Sequence, residues 1–126
     1  MTRDKSMKLR LLIILPLLLL ITFCEGDGKI WMSIDPVQCL GNDWELDWLS
    51  KNNNNFDLWA QMTEDEQLQV FKEYFENRGV VIHDMDVTQP YEEVCLECDC
   101  PRGDRIHVLV DDAHLNQLLS WGFVLD

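Results

Sequence analysis

Residues 95–112 read CLECDCPRGDRIHVLVDD. Three cysteines fall within six residues, an Arg-Gly-Asp triplet comes next, and the stretch ends in an apolar run. Val94, Leu96, Cys98 and Cys100 fall on one face of an extended strand, and so do Ile106, Val108 and Val110. Period-two alternation predicts two strands, 94–100 and 104–110. Opposed residues must share a face of a sheet, so even positions pair with even ones. Placing Cys98 opposite Ile106 and Leu96 opposite Val108 leaves Pro101-Arg102-Gly103 as a three-residue turn. Proline suits the first corner of that turn and glycine its left-handed position. The outer face then pairs Asp99 with Arg105 and Glu97 with His107. The triplet 102–104 is accounted for as the hairpin tip, ahead of an adhesion motif.

The cysteines admit several fates. In an extended strand the Cα atoms of Cys95 and Cys98 lie about 10 Å apart and those of Cys98 and Cys100 almost 7 Å. A disulfide usually needs about 6.8 Å or less. A bridge from Cys39 to Cys98 or Cys100 is therefore straightforward, and a second one, completing the set with Cys95, needs a bend. The alternative is a zinc site of four thiolates, Cys39, Cys95, Cys98 and Cys100. Absent that zinc, no cofactor is expected. Cys95-x-x-Cys98 carries the letters of a thiol oxidoreductase. It lies on an expected strand among Glu93, Glu97 and Asp99, and negative neighbours suppress thiolate formation.

Outward from this stretch, the chain has 126 residues and a net charge of −13. Basic residues Arg3, Lys5, Lys8 and Arg10 precede a 13-residue apolar run, Leu11 to Phe23. A basic leader and a run shorter than the roughly 20 residues of a spanning helix predict a signal peptide over 1–24, with a domain over 25–126. Thr22 and Cys24 fit the −3 and −1 positions of ordinary cleavage. Ile21-Thr22-Phe23-Cys24 also resembles a lipobox, departing from it at Phe23 where a small residue is usual, and there Cys24 would carry lipid. Residues 1–24 hold four of the ten Lys and Arg but one of the 23 Asp and Glu. Residues 25–126 therefore hold six basic against 22 acidic side chains, a net charge of −16. That balance opposes nucleic acid and anionic lipid as partners. The expected location is outside the cytoplasm: secreted, periplasmic or membrane-tethered. Any membrane association comes through an N-terminal lipid or an uncleaved anchor.

Within the domain, Ile30, Met32 and Ile34 alternate as a strand that Pro36 ends. Asp43 is the expected cap of a short helix, 44–49, with Trp44 and Trp48 on one face. Phe56, Leu58 and Trp59 are expected to return the chain to the core after a polar loop. Thr63 and Glu66 form a capping box for a helix over 64–78, which Gly79 stops. Residues 80–87 read as a strand. Asp111 or Asp112 caps a last helix carrying Leu115, Leu118 and Leu119, with Gly122 and Phe123 as its stop. The predicted fold is α+β, a small antiparallel sheet with helices packed on one face. Its expected core is Ile30, Met32, Ile34, Leu68, Phe71, Phe75, Val94, Leu96, Ile106, Val108, Val110, Leu115, Leu118 and Leu119.

The end of the chain, CxCPRGD…HVLVDD with a leucine helix and Trp121-Gly122-Phe123 behind it, resembles small uncharacterised exported bacterial proteins with lipoprotein-like leaders. The similarity covers the last third. It implies export and, through Cys24, tethering, but no activity. No nucleophile elbow, phosphate loop, HExxH or EF-hand loop occurs. A non-enzymatic exported domain with a binding or envelope-interaction role is therefore the leading expectation, its partner an unknown protein or surface ligand. Five tryptophans mostly fill a small core, and Trp44, Trp48 and Trp59 are the candidates for a binding surface. A metal- or thiol-handling protein built on the four cysteines stands second. A hydrolase using His83, Asp84 or Asp86 in a Trp-lined cleft stands third. His107 and His114 read as surface or cross-strand residues.

Overall fold

The computed structural model describes residues 28–92 and 95–126. The expected leader, its candidate Cys24 and the expected core residue Val94 lie outside the described residues. Strand β1 spans Lys29–Ile34, β2 Asp84–Thr88, β3 Arg105–Asp111 and β4 Val124–Leu125. Helix α1 spans Asp43–Lys51, α2 Phe56–Gln61, α3 Glu64–Glu76 and α4 Leu115–Ser120, the last entered through a 3-10 turn at Asp112–His114. The sheet is antiparallel in the order β2-β3-β1-β4. The α+β expectation holds.

Alternation along the strands divides the sheet. Ile30, Met32, Ile34, Met85, Val87, Ile106, Val108 and Val110 form or pack on the core, with Trp44, Leu68, Phe71, Phe75, Leu115, Leu118 and Phe123 from the helical layer above. Pairings such as Ile30↔Val110, Met32↔Val108 and Ile34↔Ile106 keep apolar residues opposite one another. Val80 and Ile82 join this core from the segment that leads into β2, so the strand expected over 80–87 begins later, at Asp84.

The hairpin expected over 94–110 does not form. β3 instead lies between β1 and β2, and Ile106 is opposed by Ile34 and Val87. Residues 95–100 make bends and turns. Leu96, expected in the core, is 92% exposed, and Leu119 is also exposed. Phe56 and Leu58 face outward, leaving Trp59 to pack inward from α2. Gly103 keeps its expected positive φ (119°), yet the chain around it joins Pro101 to Val37 in an isolated bridge. Arg105 pairs with Asp35 and His107 with Asp126, in place of Asp99 and Glu97.

The helix ends follow their local chemistry. Thr63 Oγ1 accepts from the Glu66 N–H (3.2 Å), and Glu66 Oε2 accepts from the Thr63 N–H (2.7 Å). At the other end of α3, Gly79 has φ +88°. Its N–H donates to Glu76 O and that of Val80 to Phe75 O, the two bonds of a Schellman stop. Gly122 and Phe123 repeat the motif behind α4, with Phe123 buried. For α1, the cap is Asn42, one residue before the expected Asp43. Its side chain and N–H both donate to Glu45 Oε2 (2.9 and 3.3 Å).

Candidate functional site

The cysteines form two disulfides, Cys39–Cys98 and Cys95–Cys100, with Cα separations of 5.1 and 5.8 Å. An extended strand would hold Cys95 and Cys100 about 17 Å apart, so the second bridge and the expected strand exclude each other. The two cysteines of the C-x-x-C letters are bonded to different partners. Each of the four sulfurs is engaged, and in this oxidised form none supplies the thiolate that zinc requires. Gln38 holds the loop from the body side: its N–H donates to Cys100 O (3.0 Å) and its Nε2 to Cys95 O (3.2 Å).

The Arg-Gly-Asp triplet is turned inward. Arg102 Nε and Nη2 donate to the two carboxylate oxygens of Asp104 (2.9 and 2.8 Å), and Nη1 donates to Glu45 Oε1 (2.9 Å). Glu45 is fully buried. An adhesion motif must offer its charges outward, whereas here they satisfy each other and a buried carboxylate.

Among the tryptophans singled out as a surface, Trp44 and Trp59 are buried at 4% exposure, and Trp48 packs against Trp59 with ring centroids 5.2 Å apart. Trp44 and Trp59 serve the core, and Trp44 also lines the cleft described below. Asp84 and Asp86 lie on the exposed face of β2. His83 pairs with Asp111 (3.0 Å) and His114 with Gln117 (3.2 Å). The structure brings none of these acids and histidines together in a Trp-lined cleft.

A cleft does form elsewhere, of about 350 Å³, within the size range of small-ligand sites. The start of α1 contributes Asn42, Asp43 and Trp44. The end of α3 contributes Tyr74, Phe75 and Arg78. Asp35 follows β1, and Trp121 follows α4. Phe75 is its floor: the Tyr74 ring meets it edge-on (4.9 Å, 84°) and Trp121 lies 5.8 Å from it. The Arg78 guanidinium stacks 3.4 Å above the Tyr74 centroid and donates to Tyr74 O (3.0 Å). Burial pushes the Tyr74 phenol above its usual range. The Arg78 charge opposes that rise, and the charges of Asp43 and Asp47 add to it.

Several polar groups of the cleft are already occupied. Asp35 accepts from Arg105 Nε (2.7 Å), from Arg105 Nη2 (3.0 Å) and from Tyr91 (2.8 Å). Those bonds, the Arg105 pair above all, hold its carboxyl below the ordinary range despite partial burial. The Asn42 amide is spent on Val37 and Glu45. Asp43 is exposed and joins no ion pair or side-chain hydrogen bond among the described residues. The cleft therefore offers aromatic faces, one uncommitted carboxylate and one stacked guanidinium.

A second polar line crosses the opposite face of the sheet. Thr88 Oγ1 lies 2.8 Å from His107 Nε2, and His107 Nδ1 lies 2.7 Å from Asp126 Oδ2. Hydroxyl, imidazole and carboxylate stand in the order of a nucleophile, its base and an orienting group. None of the three lines the cleft. They join β2 and β3 to the residue after β4, across the full width of the sheet.

The sequence signal for the cleft lies in Tyr74 and Arg78, four residues apart on one helix, and in Trp121. What the sequence does not show is their convergence, which depends on how α3 and α4 cross the sheet. No helix among the described residues is long and apolar enough to cross a membrane. Comparison of the chain with protein-family models, with curated proteins and with solved structures finds no match.

Proposed function

We propose that the chain is an exported, disulfide-braced binding domain, secreted, periplasmic or tethered through Cys24, and that it binds through the cleft between α1, α3 and α4. The observation that carries this reading is the pairing of Cys39, Cys95, Cys98 and Cys100 into two disulfides, since such bonds persist in oxidising compartments. The basic leader and short apolar run add support. The cleft supports the binding role because it is concave and sets aromatic rings beside an uncommitted carboxylate.

The test has two parts. Intact mass of the protein recovered after expression with its leader should show a chain starting at residue 25, or at a diacylglyceryl-modified Cys24. That mass should be four hydrogens lighter than the reduced form. A full-length cytoplasmic chain with free thiols would refute export, and a native mass carrying zinc would favour the metal alternative. Separately, at least one member of a panel of cationic, anionic and neutral aromatic fragments should shift the Trp121 and Gly122 amide resonances. If no fragment of any charge moves them, the cleft is not the site.

A further inference from the structure

Resting on the cleft as the binding site, we propose that it takes the guanidinium group of an arginine in a basic peptide or protein partner, and that Arg78 fills that place in the free protein. The Tyr74 face already holds a guanidinium at stacking distance, with the Tyr74 carbonyl accepting one of its N–H groups. An aromatic ring attracts cations through its negative face, and a planar guanidinium stacks on it as well. Trp121 supplies a second partly exposed ring in the same cleft. Asp43 supplies a carboxylate that the described residues leave unused, while Asp35 is already neutralised by Arg105.

Charge selects the sign of the partner. Beyond residue 24 the chain carries a net −16, so a basic partner is drawn in and an acidic one repelled. Arg78 is the one basic side chain among the described residues that lines the cleft. It lies just beyond the end of α3 and on the surface, so it can swing away without disturbing the core. A guanidinium arriving from outside gains Asp43 in addition to the ring that Arg78 now covers. Arg78 is thus a competitor for the site and not a recognition residue.

The probes are a hexa-arginine peptide and a hexa-glutamate peptide, titrated against the mature oxidised protein at physiological salt. Chemical shifts of the Trp121 indole and of Gly122 report the cleft. Hexa-arginine should shift both, and hexa-glutamate neither. Arg78→Ala should tighten hexa-arginine binding about threefold or more by removing the competitor. Tyr74→Leu should weaken it about fivefold, the worth of one cation–π contact. Asp43→Asn, at an exposed position, should weaken it without risk to the fold, while Asp57→Asn on α2 makes the same charge change outside the cleft and should not. Weaker binding in Arg78→Ala would overturn the proposal, as would equal losses in Asp43→Asn and Asp57→Asn. If hexa-glutamate or neutral fragments move Trp121 while hexa-arginine does not, the cleft stands as a binding site and the arginine assignment falls. If nothing moves it, both fall.

Discussion

Glu45 is a carboxylate with no exposure in a small protein, and its environment shows what makes that tolerable. One oxygen accepts from Arg102 and the other from the Asn42 side chain and N–H. Removing one partner of a buried ion pair leaves an uncompensated charge, whereas neutralising the carboxylate leaves hydrogen bonds possible. Arg102→Ala should therefore destabilise the protein by about 3 kcal/mol and Glu45→Gln by clearly less, as measured by urea denaturation. Equal costs would show that water reaches Glu45 once Arg102 is gone. Two other carboxylates set the acid limit. Asp35 is held low by Arg105. For Asp126, burial pushes upward, but the Ser33 hydroxyl and His107 outweigh it and the carboxyl ends below its ordinary value. A group whose folded pKa is depressed stabilises the native state above its unfolded pKa and loses that contribution as pH falls through the folded value. Both have an ordinary value of 3.8, so their contribution should be level above about pH 5 and be lost as pH falls below about 4. Asp35→Asn should be less stable at neutral pH and show a shallower acid decline in thermal melts.

At the scale of elements, α3 is the part of the chain that local chemistry specifies most fully. Its capping box, acidic first turn and glycine stop each match the structure. Thr63→Ala should cost about 1 kcal/mol through the lost cap. Gly79→Ala has open space for its Cβ but a φ of +88°, so it should cost about 1 kcal/mol through backbone strain alone. Residues 95–100 are illegible in the sequence for a definite reason. Alternation treats a cysteine as one more apolar residue, so Val94, Leu96, Cys98 and Cys100 make a convincing strand face. Once Cys95 and Cys100 are bonded, a five-residue separation must close to 5.8 Å and extension is impossible. With that strand gone, β1 takes its place beside β3, and Leu96 has no sheet to enter. β4 leaves no signal because two residues cannot show a period. The core is legible wherever it lies on periodic segments. Val80 and Ile82 read as strand residues with nothing to say which face turns inward, and Phe123 reads as part of a helix stop that folds back on α4.

Among the described residues the molecule is a sheet with one face covered by helices, to which the 95–104 loop is attached from outside. That loop sends no large apolar side chain into the core cluster. Besides the Gln38 bonds, its attachments include the Cys39–Cys98 bond, the Val37–Pro101 bridge, the Arg102 N–H to Pro36 O bond (2.7 Å) and the Arg102–Glu45 pair. All but the Arg102–Glu45 pair meet the segment between β1 and α1, and that pair meets the first turn of α1. The two disulfides therefore do different work. Cys39–Cys98 spans 59 residues, a stretch that includes α1, α2, α3 and β2, so it constrains most of the unfolded chain. Cys95–Cys100 spans five and constrains little beyond its own ring. Loop-closure entropy puts the first at about 4 kcal/mol and the second at about 2 kcal/mol. Replacing Cys39 and Cys98 together by alanine should lower the urea midpoint markedly and raise the m-value, because the unfolded chain then expands further. Replacing Cys95 and Cys100 should lower the midpoint about half as much and leave m nearly unchanged. The Cys95/Cys100 variant should also leave the Trp121 and Gly122 resonances in place, since the cleft is built from α1, α3, α4 and the end of β1. If the short bridge proved the costlier to lose, the loop would have to be part of the folded body rather than an attachment to it.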